Sequence, residues 1–142
     1  MSGISLAVAQ EIAVATLARG RELGLAPLAV AVLDDRGVLK ALLAEDGVAL
    51  LRPEIAVAKA WSVVGMGRST RAMMARSQEA PAFYAALANL AGGKIVPVPG
   101  GLPVHSDTGD LLGAVGVSGD VAEEDEACAA HGIEAARLST VR

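Results

Sequence analysis

The sequence predicts an α+β domain, an antiparallel sheet of about five strands flanked by helices. Three observations predict it. Apolar residues recur at helical spacing from Ser5 to Leu23. Two apolar runs flank Asp34-Asp35-Arg36-Gly37, a hairpin signal. The order of elements is helix, two strands, helices, about three strands, helix. Strands joined by hairpins form an antiparallel sheet that buries one face under helices, unlike a regular strand–helix alternation. With 142 residues the chain is expected to form one domain, residues 1–142, large enough for a real core.

Taken in order, the first helix places Leu6, Ala9, Ala13, Leu17 and Gly20 on one stripe, and Gly24 stops it. The stretch LAVAVLDDRGVLKALLAEDG gives a strand, a turn at Asp34 to Gly37 and a second strand ended by Glu45-Asp46-Gly47. Pro53 suits the first turn of a helix, PEIAVAKAWSVVGMG, with Ile55, Ala58 and Ser62 on one face. Residues Ser69 to Ser77 add a helical turn or two, and EAPAFYAALANLAGG is a short helix stopped by Gly92-Gly93. KIVPVPGG reads as a strand whose prolines confine it to an edge. LPVHSDTGDLLGAVGVSG reads as strand, turn at Asp107 to Gly109, and strand. The last helix, DVAEEDEACAAHGIEAARL, opens on acids that suit the positive end of its dipole, and Gly132 is expected to interrupt it.

Composition narrows the function. The chain is 53% hydrophobic but only 2% aromatic, and this aliphatic excess points to buried subunit interfaces, hence a homo-oligomer. A net charge of −4 argues against nucleic acid, and Arg68, Arg71 and Arg76 read as a solvated helix face. No apolar run is long enough to span a bilayer, and the start carries no signal-peptide pattern, so no membrane partner and a cytoplasmic location are expected. There is no P-loop, no GxGxxG after a strand, no GxSxG and no zinc-spaced Cys/His set, so no metal site is expected. The lone Cys128 reads as a small buried hydrophobe.

A handful of residues stand out against this aliphatic background. Lys59 interrupts an apolar helix face, which calls either for a carboxylate partner or for a role in holding an anion. Gly100 and Gly101 open the turn Gly100-Gly101-Leu102-Pro103, and their N–H groups could cradle a carboxylate. His105 and His131 are the two candidates for moving a proton. Lys59, the Gly100–Pro103 turn and one histidine are therefore expected to share a ligand pocket. Trp61 and Tyr84 read as packing residues.

Several short motifs recur in a fixed order: Asp34 with Gly37, Asp46-Gly47, Lys59-Ala60, Gly100-Gly101-Leu102-Pro103, Gly113 to Gly119, and Asp125-Glu126 before Gly132. As an ordered series they resemble the GlcG/HbpS family, which includes the C-terminal domain of the PduO adenosyltransferases. The resemblance runs from about Leu6 to Leu138. It implies a profilin-like sandwich, a homo-oligomer, and an accessory role in binding haem or another tetrapyrrole. Haem-binding PduO-type domains are associated with a histidine and a cysteine near the first helix; the first helix here has neither. Two other functions stay open on the residues: an enzyme transferring protons on a small carboxylate or carbonyl compound, and a structural oligomer without chemistry of its own.

Overall fold

The computed structural model describes residues 3–142. Ser5 caps α1 (Leu6–Glu22) by accepting a hydrogen bond from the Val8 N–H. The first hairpin follows as β1 (Ala29–Asp34) and β2 (Leu39–Ala44). Its turn is held by Asp34, whose Oδ1 accepts from the N–H groups of Arg36 and Val38. Three helices come next: α2 (Arg52–Met66), α3 (Thr70–Glu79) and α4 (Pro81–Leu90). Gly67, with φ 72°, ends α2 in the left-handed conformation. The second hairpin is β3 (Gly101–His105) and β4 (Leu111–Ser118), and α5 (Ala122–Ala135) closes the domain.

The strands form one antiparallel sheet in the order β2-β1-β4-β3. Central β1 is buried on both faces. Val30 and Val32 join Val115, Val117, Leu102 and Val104 in the main core, under Ile12 of α1 and Ile133 of α5. Ala29 and Ala31 face the other way and pack against Ala56 of α2. Gly116 lets α2 lie directly on the sheet, since a Cβ there would stand 2.7 Å from the Ala60 nitrogen. That close seating of α2 brings Lys59 to the end of β4.

Five expectations need correction. The sheet has four strands among the described residues, because residues 94–100 form no strand. Pro97 and Pro99 lack N–H groups, and the segment is tied instead to Ser62 of α2. The Ser62 hydroxyl donates to the Lys94 carbonyl at 3.0 Å and accepts from the Val96 N–H at 2.9 Å. The buried stripe of α1 is Ala9, Ile12, Ala13, Thr16 and Gly20, while Leu6 is exposed. The buried face of α2 is Ala56, Lys59, Ala60, Ser62 and Val63, rotated from the face centred on Ile55 and Ala58. Gly132 does not interrupt α5; it lies where α5 crosses α1, and a Cβ would meet Thr16 Oγ1 and the Ile12 carbonyl. Arg71 is not a free surface charge: its Nε donates to Glu126 Oε2 at 2.9 Å and its Nη2 to Oε1 at 3.1 Å.

Candidate functional site

Lys59 is 3% exposed, so its ammonium has to find partners inside the protein. Nζ donates to the Val117 carbonyl at 2.9 Å, at the end of β4. It also stands 3.5 Å from Oδ2 of Asp125, in the first turn of α5. Asp125 is 1% exposed. Its Oδ1 accepts from the Asp120 N–H at 2.9 Å, but Oδ2 accepts no hydrogen bond among the described residues. The pair is thus within ion-pair range and incompletely satisfied. Burial pushes the Lys59 ammonium below its ordinary value, although Asp125 pulls the other way. Burial likewise pushes Asp125 above the ordinary carboxylate value, against hydrogen bonds and the charge of Lys59.

The two glycines of the turn serve this lysine. Gly100 has φ 130°, and a Cβ there would lie 2.6 Å from Lys59 Nζ and 2.7 Å from the Val117 carbonyl oxygen. A Cβ on Gly101 would lie 2.7 Å from the Lys59 carbonyl oxygen. The Gly101 N–H is already taken, donating to Thr70 Oγ1 at 2.8 Å. The glycines therefore make room for Lys59 and the strand end, and the Gly101 amide is not free to cradle a ligand. Leu102 and Pro103 continue into β3 as buried residues.

Beside Lys59 lies a cavity of about 290 Å³ lined by Arg52, Lys59, Val98, Ser118, Asp120 and Asp125, among others. Arg52 is the first residue of α2, and its Nη1 donates to Ser118 Oγ at 3.1 Å. Among the described residues it has no carboxylate within ion-pair distance. Asp120 is committed elsewhere, accepting from the N–H groups of Ala26 and Val121, each at 2.8 Å. A polar row therefore runs along the cavity: Arg52, Ser118, the Val117 carbonyl, Lys59, Asp125.

The structure brings Lys59 together with Gly100 and Gly101, but lines this cavity with neither histidine. His105 ends β3 at the opposite end of the strand from Gly101, with its backbone paired to Ser139. His131 is on the exposed side of α5. Sequence reasoning passed over Arg52 and named Asp125 only within a motif, not as a site residue. Arg52 did leave a signal: a cation at a helix N-terminus opposes the dipole, so another interaction has to hold it there. Asp125 stood in the Asp125-Glu126 motif, but as one of three acids in the first turn of α5 nothing marked it as the partner of Lys59.

A second cavity, also about 290 Å³, lies along α2 between Leu42, Val57, Trp61 and Lys94. It is almost wholly apolar, and the Lys94 ammonium sits 5.3 Å from the Trp61 ring centre. Cys128 is buried, and that burial pushes its thiol up to about 11, which keeps it protonated and unreactive.

A family model described as haem degrading protein, HbpS-like, matches residues 4–134. The chain belongs to this HbpS-like family. It is 29% identical over 126 residues to the corrinoid adenosyltransferase PduO of Citrobacter freundii, a match covering 89% of this chain and 37% of that protein. The chain thus spans little more than a third of that curated relative. Among solved structures, a PduOC:heme complex matches with a TM-score of 0.88 at 28% identity, covering 99% of both chains. HbpS matches with a TM-score of 0.82 at 25% identity, covering 94% of this chain and 90% of that one. The helices and four-stranded sheet described above are the α+β fold of these HbpS and PduOC structures.

Proposed function

We propose that this HbpS-like chain is a small-molecule-binding accessory protein whose first candidate ligand is haem or a related tetrapyrrole, gripped through a carboxylate. The observation that carries this reading is the heme complex of a relative that matches the whole length of this chain. Haem carries two propionate groups, and Arg52 with Lys59 offers two cations beside one cavity. The residues present fit that part of haem. They do not fit its iron within the same cavity, which has no His, Cys, Met or Tyr in its lining. At about 290 Å³ the cavity is also at the small end for ligand sites, so it suits the carboxylate arm and not the macrocycle.

The test is an absorbance titration with haem. The expected result is a saturable Soret change that is weakened about tenfold or more in Arg52→Gln, the loss of one charged hydrogen-bond partner. His105→Ala and His131→Ala, placed away from the cavity, should leave that dependence on Arg52 intact. A featureless titration would remove the tetrapyrrole reading.

The second reading, an enzyme acting on a small carboxylate, is favoured by the buried Lys59–Asp125 pair. Burial shifts each group toward its neutral form, Lys59 downward and Asp125 upward, which narrows the gap in proton affinity between them. Lys59 and Asp125 then take the proton-moving part that the sequence suggested for a histidine. Arg52 holds the anion, beside an apolar wall at Val96 and Val98.

A further inference from the structure

We infer that residues 96–98 are a latched wall of the Arg52–Lys59 cavity, which the ligand displaces as it enters. This rests on the tetrapyrrole reading above and adds how that same site opens. The cavity, about 290 Å³, takes a propionate arm but not the macrocycle, so one of its walls has to yield. Val96 and Val98 line the wall that can. The rest of the lining belongs to α2, β4 and α5 or, in the case of Asp120, is tied by two backbone N–H groups.

Backbone bonding singles this wall out. Among the described residues, one hydrogen bond joins residues 96–98 to the rest of the domain, from the Val96 N–H to Ser62 Oγ at 2.9 Å. The Val98 N–H turns back on the Val96 carbonyl at 2.9 Å, and Pro97 has no N–H to give. Ile95 and Pro99 are buried and hold the two ends, while Val98 between them is exposed. Ser62 is suited to letting go. Its single proton has two acceptors, the Ala58 carbonyl one turn back in α2 at 2.7 Å and the Lys94 carbonyl at 3.0 Å. With Val96 released, the hydroxyl still has a partner inside its own helix. Opening therefore costs about one hydrogen bond, so the closed wall is the majority state and the open one is within reach.

The experiment is an absorbance titration of the whole protein with haem, paired with amide hydrogen exchange of the unliganded protein over residues 94–100. A latch that holds a site shut lowers its apparent affinity by the fraction of open protein, so cutting the latch tightens binding. Ser62→Ala should bind haem about threefold to tenfold more tightly than the parent. Pro97→Gly keeps Ser62 and adds freedom chiefly to the displaced wall, so it should tighten binding about twofold. In the parent the Val96 amide should exchange through a local opening, faster than the amides of β1, and about threefold to tenfold faster again in Ser62→Ala. Unchanged or weaker haem binding in both variants, with the dependence on Arg52 intact, overturns the latched wall and leaves the tetrapyrrole reading standing. A Val96 amide that exchanges only as slowly as those of β1 also overturns the wall. A featureless titration of the parent and both variants overturns the tetrapyrrole reading and the wall with it.

Discussion

Lys59 and Asp125 show how a single charged side chain can order its surroundings. Each is buried, so removing one partner leaves the other uncompensated. Lys59→Met is expected to destabilise the fold by about 3 kcal/mol in urea denaturation, and adding Asp125→Asn should recover a substantial part of that loss. Strict additivity of the two substitutions would show that they do not interact. Gly101→Ala should cost about 1–3 kcal/mol, because its Cβ meets the carbonyl of Lys59, which is fixed in α2, as well as Thr70 Cγ2. Asp34 carries a pH signature. Burial alone would raise its carboxyl, but hydrogen bonds from the Val38 and Arg36 N–H groups and the Arg36 charge outweigh it and hold it below the ordinary 3.8. Its contribution is therefore present above that value and is lost as the pH falls through the lower folded-state value. Asp125 is shifted up and acts with the opposite sign, so the measurement is the difference between proteins. Asp34→Asn should be less stable than the parent near neutrality, and the gap should close on acid titration. A gap that persists at the lowest pH would contradict the sign. The need of the lysine for a carboxylate partner or an anion was legible in the sequence. Which acid, and the presence of Arg52 beside it, depended on how far along the sheet α2 lies.

At the scale of elements, the hairpins and helices were readable from local signals: Asp34 and Gly37 in the first turn, Gly24 after α1, Pro53 in the first turn of α2. Faces and extra strands were not, because tertiary packing decides them. The segment 94–100 has strand-like residues, yet its prolines and its attachment to Ser62 keep it out of the sheet. Gly132 is the sharpest case. A glycine in a helix normally costs about 1 kcal/mol relative to alanine, so Gly132→Ala would stabilise an isolated helix. Here the added Cβ meets Thr16 Oγ1 and the Ile12 carbonyl, a clash expected to cost about 1–3 kcal/mol. The expected net result is a melting temperature lowered by a few degrees; a raised one would mean that α1 and α5 can move apart freely.

For the whole molecule, one chain leaves apolar surface that invites another. Outer strand β2 exposes Leu39, Leu42 and Leu43, and Leu50 is 90% exposed. We propose a homo-oligomer on this basis, with light scattering expected to give a multiple of 14.3 kDa and Leu43→Lys expected to lower it. A single-chain mass in the parent protein would contradict the proposal. No described helix is long and apolar enough to cross a membrane. The HbpS-like fold was recognisable from the ordered motifs because their glycines sit where backbones must approach, as at Gly100, Gly101 and Gly116. The polar row of the cavity was not, since Arg52, Lys59, Ser118 and Asp125 come from three separate elements and meet only in the folded chain. The central claim is that Arg52 and Lys59 hold a carboxylate of the ligand. Its most direct test compares haem with haem dimethyl ester, which keeps the macrocycle and iron but has no free propionate. In parallel absorbance titrations haem should bind the parent protein about tenfold or more tightly than the ester, and the two should bind Arg52→Gln with nearly equal affinity. Equal affinity of haem and its ester for the parent protein would contradict the account.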